Sequence, residues 1–193
     1  MTKKLVSSLI ILMLAVLLCC GLVFAASPEF SADMVMTDAK GKTTTGRVYM
    51  KGYEKVRQEL KSGDDVSVTI LRLDKKVSWT LMPENQYMEI AFNFDPNQPN
   101  PDYKYEMKTI GTETVNGYSC QVVEYVYKDK KLGSLVQWIA DDLGFAVKTQ
   151  TKNSRGKVES TIEYKNIVVG PQPDSLFEIP AGYKKFSMFQ LPF

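Results

Sequence analysis

The chain of 193 residues carries 24 basic and 22 acidic side chains and no histidine. Its net charge of +2 comes from Lys3 and Lys4, so the charges of the remaining chain cancel. The chain therefore lacks the excess of basic residues that is typical of nucleic-acid binding. The absence of histidine excludes His-based triads and His-ligated zinc, and we expect no catalytic residue, no cofactor and no metal site.

The first residues have the features of a secretory signal peptide. A positive start and an apolar run over residues 5–18 precede a cleavage site of small residues that ends at Ala25. We therefore predict a signal peptide over residues 1–25 and export to the periplasm. The mature chain, residues 26–193, has the size of one domain with its own core.

Two alternatives to cleavage stay open. Cys19 or Cys20 could carry a lipid, or the uncharged residues 5–27 could remain as a membrane anchor, since they are long enough to span a bilayer. Cleavage would leave Cys120 as the single cysteine, which excludes an intrachain disulfide.

From Phe30 onward apolar and polar residues alternate, which is typical of antiparallel strands. Residues 54–61 fit a strand or a helical turn, and we favour a strand. The following hairpins set Ile70 opposite Trp79 and Val68 opposite Leu81. A turn at residues 83–86 then sets Trp79 opposite Ile90 and Leu81 opposite Met88. Outward positions are predicted for Arg47, Tyr49 and Lys51.

The alternation stops at residues 93–102, where Pro and Asn predict a long loop. Strands are predicted again over residues 105–114 and 118–128, joined by the turn Asn116-Gly117. The next loop sets Val122 opposite Trp138.

The hairpin over residues 136–148 has the clearest alternation of apolar and polar residues in the chain. Its Asp- and Gly-rich turn sets Ala140 opposite Phe145 and Trp138 opposite Val147, and places Lys148 on the other face. The following loop sets Val147 opposite Ile162. Near the end, residues 174–177 are predicted to form one helical turn that docks Phe177.

The predicted fold is mainly β with little helix: a curved antiparallel meander of about ten or eleven strands. It has one apolar and one charged face. The apolar face is the predicted ligand-binding site, formed by Met34, Met36, Val48, Met50, Val68, Ile70, Trp79, Leu81, Met88, Ile90, Val122, Trp138, Phe145, Val147 and Ile162. No second layer is evident that would cover it, so the face is either a cavity or a filled core.

Four stretches carry a resemblance to a known family: residues 30–36, 116–120, 138–148 and 174–183 (FSADMVM, NGYSC, WIADDLGFAVK and DSLFEIPAGY). They resemble exported bacterial proteins of the LolA/LolB-like superfamily, the fold of outer-membrane lipoprotein sorting, in an uncharacterised branch. The resemblance implies a β half-barrel whose concave face receives acyl chains or other apolar ligands. Its expected partners are a lipid, an acyl chain or a lipoprotein.

Two functions stay open at this point. One is a periplasmic carrier or sensor of an apolar ligand, favoured by the methionine-rich face, because flexible thioethers suit adaptable binding surfaces. The other is an envelope module that binds a protein partner through loops such as residues 93–102. We expect a monomer in either case.

Other readings of the chain have less support. Asp141-Asp142 is typical of a turn rather than of an acid–base pair, and Cys120 has no histidine to activate it, so we do not expect an enzyme. Phe189, Leu191 and Phe193 suggest an outer-membrane barrel, but prolines interrupt that strand.

Overall fold

The computed structural model describes residues 28–63, 65–92 and 104–186. These residues form twelve β-strands and one 3-10 turn at Asp174–Phe177, and they contain no α-helix. The strands are β1 (Glu29–Asp38), β2 (Thr43–Lys51), β3 (Lys55–Ser62), β4 (Asp65–Arg72), β5 (Val77–Met82), β6 (Gln86–Ala91), β7 (Tyr105–Val115), β8 (Tyr118–Tyr127), β9 (Ser134–Ala140), β10 (Ala146–Lys152), β11 (Val158–Val169) and β12 (Lys184–Lys185).

All twelve strands belong to one open, curled sheet in the order β12-β6-β5-β4-β3-β2-β1-β11-β10-β9-β8-β7. The predicted fold class, a mainly β, curved antiparallel half-barrel, is confirmed. The connectivity is more complex than a single meander: β1–β6 and β7–β11 each follow chain order, and β1 lies beside β11. The strand missing from the prediction is β12, which has two residues and runs parallel to β6.

The chain divides into two compact units. Of the described residues, the β2–β6 unit contains 29–34, 44–63, 65–92 and 166–186, and the β7–β10 unit contains 28, 35–43 and 104–165. Strands β1 and β11 contribute residues to both.

Within the β2–β6 unit, the pairs Ile70–Trp79 and Val68–Leu81 are confirmed, and residues 54–61 contain a strand, as expected. The next register is wrong by one residue, because Trp79 pairs with Glu89 and Leu81 with Tyr87. The cause is a turn shorter by one residue than predicted. Glu84 has a φ of 60° there, in the left-handed region that glutamate rarely adopts.

Within the β7–β10 unit, the turn Asn116-Gly117 and the pair Val122–Trp138 are confirmed. Trp138 does not face Val147, however. It pairs with Lys148, because a register shift makes Val147 an extra, bulged residue.

The loop between β10 and β11 also differs from the prediction. Ile162 pairs with Thr149 instead of Val147, and a second register shift lies at the end of β10. The Asn153 side chain accepts hydrogen bonds from the backbone N–H groups of Arg155 and Lys157, which closes a longer loop than expected.

Several predictions lie outside the described residues. They are the signal peptide at residues 1–25, the loop at residues 93–102, and the apolar residues 189–193. In the part that is described, no helical segment has the length and hydropathy that a membrane crossing requires.

Candidate ligand-binding face

Strands β2 to β6 present three rows of directly opposed side chains on one surface, which we call the front face. The rows are Tyr49, Arg57, Ile70, Trp79 and Glu89; then Arg47, Glu59, Val68, Leu81 and Tyr87; and then Lys51, Lys55, Arg72, Val77 and Ala91. Opposed residues of antiparallel strands point to the same side of a sheet. The front face therefore mixes apolar and charged groups, and the expected outward position of Arg47, Tyr49 and Lys51, away from Ile70, is wrong.

The opposite surface of the same strands, the back face, holds the other predicted site residues. Its rows are Val48, Gln58, Thr69, Thr80 and Met88; and Met50, Val56, Leu71, Ser78 and Ile90. Met34 is fully buried and also faces the back, because its neighbour Asp33 accepts a hydrogen bond from the front-face residue Arg47 at 3.1 Å.

The predicted single apolar face is therefore wrong for the β2–β6 unit. Val68, Ile70, Trp79 and Leu81 lie on its front, whereas Met34, Val48, Met50, Met88 and Ile90 lie on its back. The reason is that β4 is buried on both sides: Ile70 and its neighbour Leu71 are both in the core. Where both faces are buried, alternation no longer tells which residues share a face.

The predicted site residues of the β7–β10 unit are separated in the same way. Trp138 faces Val122, but it also faces Lys148, whose Nζ lies 4.2 Å from the centre of the indole ring. Ile162 lies on the other side of the sheet, since its neighbour Glu163 is the residue that pairs with Lys148.

The remaining predicted site residues of this unit are not aligned with Trp138 in a row. Phe145 is buried where β10 begins, and Val147 is buried at the bulge. Met36 is half-buried in the part of β1 that belongs to this unit.

The front face of the β2–β6 unit is crossed by a separate segment, residues 171–186, which we call the strap. Its 3-10 turn Asp174–Phe177 is fixed between Pro173 and Pro180, and the N–H of Leu176 donates to the Pro173 carbonyl at 3.1 Å. The turn places Phe177, whose exposure is 0%, against Ile70 and Trp79. The prediction of one helical turn that docks Phe177 is confirmed.

Arginine side chains of the front face hold the strap by its backbone. The guanidinium of Arg72, whose side chain is 5% exposed, donates to the Phe177 carbonyl at 3.1 Å and pairs with Glu178 and with Asp74. Arg57 donates to the Leu176 carbonyl at 3.2 Å. These bonds satisfy strap carbonyls that the short turn leaves without a partner of its own.

Lysines form ion pairs with the two carboxylates that flank Phe177. The Asp174 carboxylate lies 2.9 Å from Lys55 Nζ and 3.2 Å from Lys51 Nζ, and the Glu178 carboxylate lies 3.0 Å from Lys75 Nζ. Hydrogen bonds from Lys55 and Lys51 hold the pKa of Asp174 below its usual value. Burial raises the pKa of Glu178, but hydrogen bonds from Lys75 and Arg72 outweigh it and leave this pKa lowered as well. Both carboxylates are therefore charged at neutral pH.

The polar edge of Trp79 is also engaged. Its indole N–H donates to Glu89 at 2.9 Å, and Lys185 of the strap lies 2.6 Å from the same carboxylate. These bonds, with hydrogen bonding to Lys185 as the larger effect, lower the pKa of Glu89. The strap is thus fixed by ion pairs at both ends, by one aromatic ring in between, and by the pairing of β12 with β6.

The front face has an apolar centre and basic side chains around it. The apolar centre of Ile70, Trp79 and Phe177 is bordered by the basic residues Lys51, Lys55, Arg57, Arg72 and Lys75. Sequence analysis missed Arg57 and Arg72 because alternation alone does not distinguish a cation on an apolar face from one in solvent. A usable signal was present in the acidic residues Asp174 and Glu178 on either side of Phe177.

Other candidate residues have structural partners. Asp141 accepts a hydrogen bond from Ser119 at 2.8 Å at the β9–β10 turn. Cys120 is fully buried, and burial raises the pKa of its thiol, as befits a packed strand residue. Among the described residues, no group of three acidic or cysteine side chains could hold a metal ion.

A family model described as "Domain of unknown function (DUF4412)" matches residues 30–144. No curated protein matches the sequence.

Solved structures with TM-scores above 0.5 show the same fold. An uncharacterized conserved protein from Thermus thermophilus superposes with a TM-score of 0.63 at 13% identity, over 83% of this chain and 90% of that one. A chain of the MucA/MucB complex from Pseudomonas aeruginosa gives 0.53 at 15% identity, over 77% of this chain and 54% of that one. A LolA superfamily protein from Nitrosomonas europaea gives 0.41 at 13% identity, over 80% and 91%. The resemblance predicted from the sequence is confirmed as a likeness of fold.

Proposed function

The chain belongs to the DUF4412 family, and we propose that it is a periplasmic binding protein for a lipid-like or acylated apolar ligand, acting as a carrier or an envelope sensor. One observation carries this proposal: the strap places Phe177, fully buried, against Ile70 and Trp79 on the front face. An apolar group from a separate segment therefore already occupies the position in which a ligand chain would bind.

The contacts that hold the strap are of a kind that a ligand can replace. Burial of one phenylalanine side chain contributes about 1.5–3 kcal/mol. Ion pairs as exposed as Lys75–Glu178 contribute about 0–1 kcal/mol each. An acyl chain of about ten methylenes gains roughly 8 kcal/mol on burial, before the losses of ordering and association. Replacement of the strap by a ligand would then give a weak, reversible complex, which suits a protein that has to release what it binds.

Charge favours an anionic head group on this ligand. When Asp174 and Glu178 leave the front face, the partners that they vacate are Lys51, Lys55 and Lys75. Arg72 would keep Asp74 but lose Glu178 and the Phe177 carbonyl. A carboxylate or phosphate head would replace the lost acceptors.

The periplasmic location rests on the amino-terminal sequence. Its charged start, apolar run and small residues before position 26 fit a cleaved signal peptide. A retained anchor at residues 5–27, or a lipid on Cys19 or Cys20, would place the same binding face beside a membrane.

Tryptophan fluorescence tests the proposal. Trp138→Phe leaves Trp79 as the sole tryptophan, since the chain has two. We expect dodecanoate to shift the Trp79 emission, with dodecanol less effective because it lacks the negative charge. Ile70→Glu should remove the shift, because it places a carboxylate in the apolar centre.

Val66→Glu is the matched control, since Val66 lies on the same strand and is exposed. It should leave the titration unchanged. A protein whose Trp79 emission responds to neither amphiphile, while its far-ultraviolet circular dichroism is native, contradicts the proposal.

A second candidate function is an envelope module that binds a protein. Its support is the likeness to a chain of a complex, MucA/MucB, at a TM-score of 0.53. Native mass spectrometry of protein fresh from cells, beside the same protein after delipidation, separates the two functions. A lipid-sized mass difference that extraction removes supports the lipid-like ligand, and a protein-sized mass increase supports the protein partner.

A further inference from the structure

Strand β7 forms one end of the strand order and runs for 11 residues, Tyr105–Val115. Within the described residues its pairing partner is β8. The side chains along it are exposed from Tyr105 to Thr114, including Tyr105 at 40%, Met107 at 65% and Ile110 at 46%. A long edge strand with exposed apolar groups is a template for pairing with another strand.

The hydrogen-bonding pattern shows which backbone groups face away from β8. The N–H of Lys128 donates to the Lys104 carbonyl at 2.7 Å, so Lys104 points toward β8. In an antiparallel ladder this direction alternates. The N–H and carbonyl groups of Tyr105, Met107 and Thr109 therefore point outward. A register shift between Thr109 and Gly111 then ends the regular part of the strand.

We propose that this edge pairs with the same edge of a second copy of the chain, antiparallel and centred on Met107. In that register Met107 meets its counterpart, and Tyr105 meets Thr109. Glu106 of each copy faces Lys108 of the other, in a position between hydrogen-bonded pairs where opposed side chains are closest.

The charges of Glu106 and Lys108 favour this register, and they favour a second copy of the chain as the partner. A shift by one step in either direction that keeps the outward backbone groups paired would oppose Glu106 to Glu106, or Lys108 to Lys108. Of these three registers, only the one centred on Met107 sets unlike charges against each other twice. The edge is thus complementary to itself. This inference is independent of the proposed ligand, and it replaces the monomer expected from the sequence by a weak dimer.

Sedimentation velocity over a rising concentration series, on the chain as cells process it, tests the pairing. Wild type should associate reversibly. Lys108→Glu and Glu106→Lys should each weaken association about tenfold or more, because each opposes like charges twice. Charge reversal of both residues in one chain should restore it. An equimolar mixture of the two single variants should form a heterodimer.

Arg155→Glu is the control, since Arg155 is exposed in the turn between β10 and β11, and β10 lies three strands away from β7 in the sheet order. This substitution changes the net charge by the same amount as Lys108→Glu. It should associate like wild type. A wild type that stays monomeric throughout the series overturns the proposal. So does a dimer that tolerates both single reversals, or one that Arg155→Glu weakens as much as Lys108→Glu does.

Discussion

The two tryptophans of the chain have similar polar neighbours and different apolar ones. Trp79 donates its indole N–H to Glu89 at 2.9 Å, and Lys75 Nζ lies 5.3 Å from its ring centre. Trp138 donates to Glu113 at 2.7 Å, and Lys148 lies over its ring. A carboxylate thus holds each indole N–H and an ammonium group lies over each ring.

The difference lies in what packs against each ring. Trp138 is opposed by Val122 and Lys148, which are both residues of the strand ladder. Trp79 also packs against Phe177, which belongs to the strap. Ladder neighbours stay in place as long as the sheet is folded. The strap is held by side chains and by the two-residue strand β12, so its release would leave the other strands paired. The same local chemistry therefore accompanies a contact within the ladder at Trp138 and a contact with the strap at Trp79, the contact that the proposed ligand would replace.

The largest effect is expected from Trp138→Ala. Removal of a buried aromatic side chain should lower the free energy of unfolding by about 3–5 kcal/mol. Urea denaturation measures this loss. A loss below about 1 kcal/mol would mean that the ring contributes no more than a surface residue does. That result would contradict the claim that Trp138 stabilises the fold.

Phe177→Ala should reduce stability less than Trp138→Ala does, and it should change the binding of apolar ligands more. We expect a loss of about 1.5–3 kcal/mol, the transfer term alone, because the freed strap leaves no sealed cavity. An anionic apolar dye such as anilinonaphthalene sulfonate should bind more tightly to this variant than to wild type. Val169→Ala, at an exposed position, serves as control. Equal dye binding by all three proteins would place Phe177 in the permanent core.

Arg72→Lys tests the polar hold on the strap. Lysine keeps the charge but loses the forked geometry that reaches Asp74, Glu178 and the Phe177 carbonyl together. We expect unfolding to become easier by about 1–2 kcal/mol and the strap to be cleaved faster by a protease. Unchanged proteolysis of the strap would show that Arg72 does not hold it.

Acid should release the strap with the smallest effect of the series. The folded pKa values of Asp174 and Glu178 are lowered, so their contribution is complete above the usual carboxyl pKa of about 4 and is lost as pH falls below it. Trp79 emission in the Trp138→Phe protein should change over that window. The change should be smaller in Asp174→Asn combined with Glu178→Gln, where Glu89, whose pKa is also lowered, is the carboxylate still bonded to the Trp79 indole. A profile of undiminished amplitude in that double variant would assign the titration to groups other than Asp174 and Glu178.

The local elements were predictable from the sequence, and their combination on two faces was not. The pair Ile70–Trp79 and the docking of Phe177 follow from alternation and turn residues within short stretches. The error at Trp138 comes from a bulge at Val147, which shifts the pairing by one residue and so reverses the face. The partner of Ile162 is displaced by two residues, from Val147 to Thr149, because a longer loop at Asn153 is followed by a second register shift at the end of β10. Bulges depend on tertiary packing, which a hydrophobic pattern does not encode.

The candidate site was predicted in part for the same reason. Ile70, Trp79, Val68 and Leu81 were placed correctly with each other. The basic residues Arg57 and Arg72 were not expected there, since their role depends on a strap that lies more than a hundred positions away in the sequence. Contacts at such separation leave no trace in the alternation of the strands that carry Arg57 and Arg72, and the only signal lay in the acidic residues Asp174 and Glu178 beside Phe177.

Amide hydrogen exchange of the strap, with and without dodecanoate, tests the central claim most directly. The N–H groups of Leu176, Lys184 and Phe186 donate to carbonyls in the structure and should be protected in the free protein. If a ligand takes the place of Phe177 on the front face, saturating dodecanoate should make these amides exchange faster while those of β9 stay protected. Strap amides that exchange at the same rate or more slowly with bound dodecanoate would contradict the account.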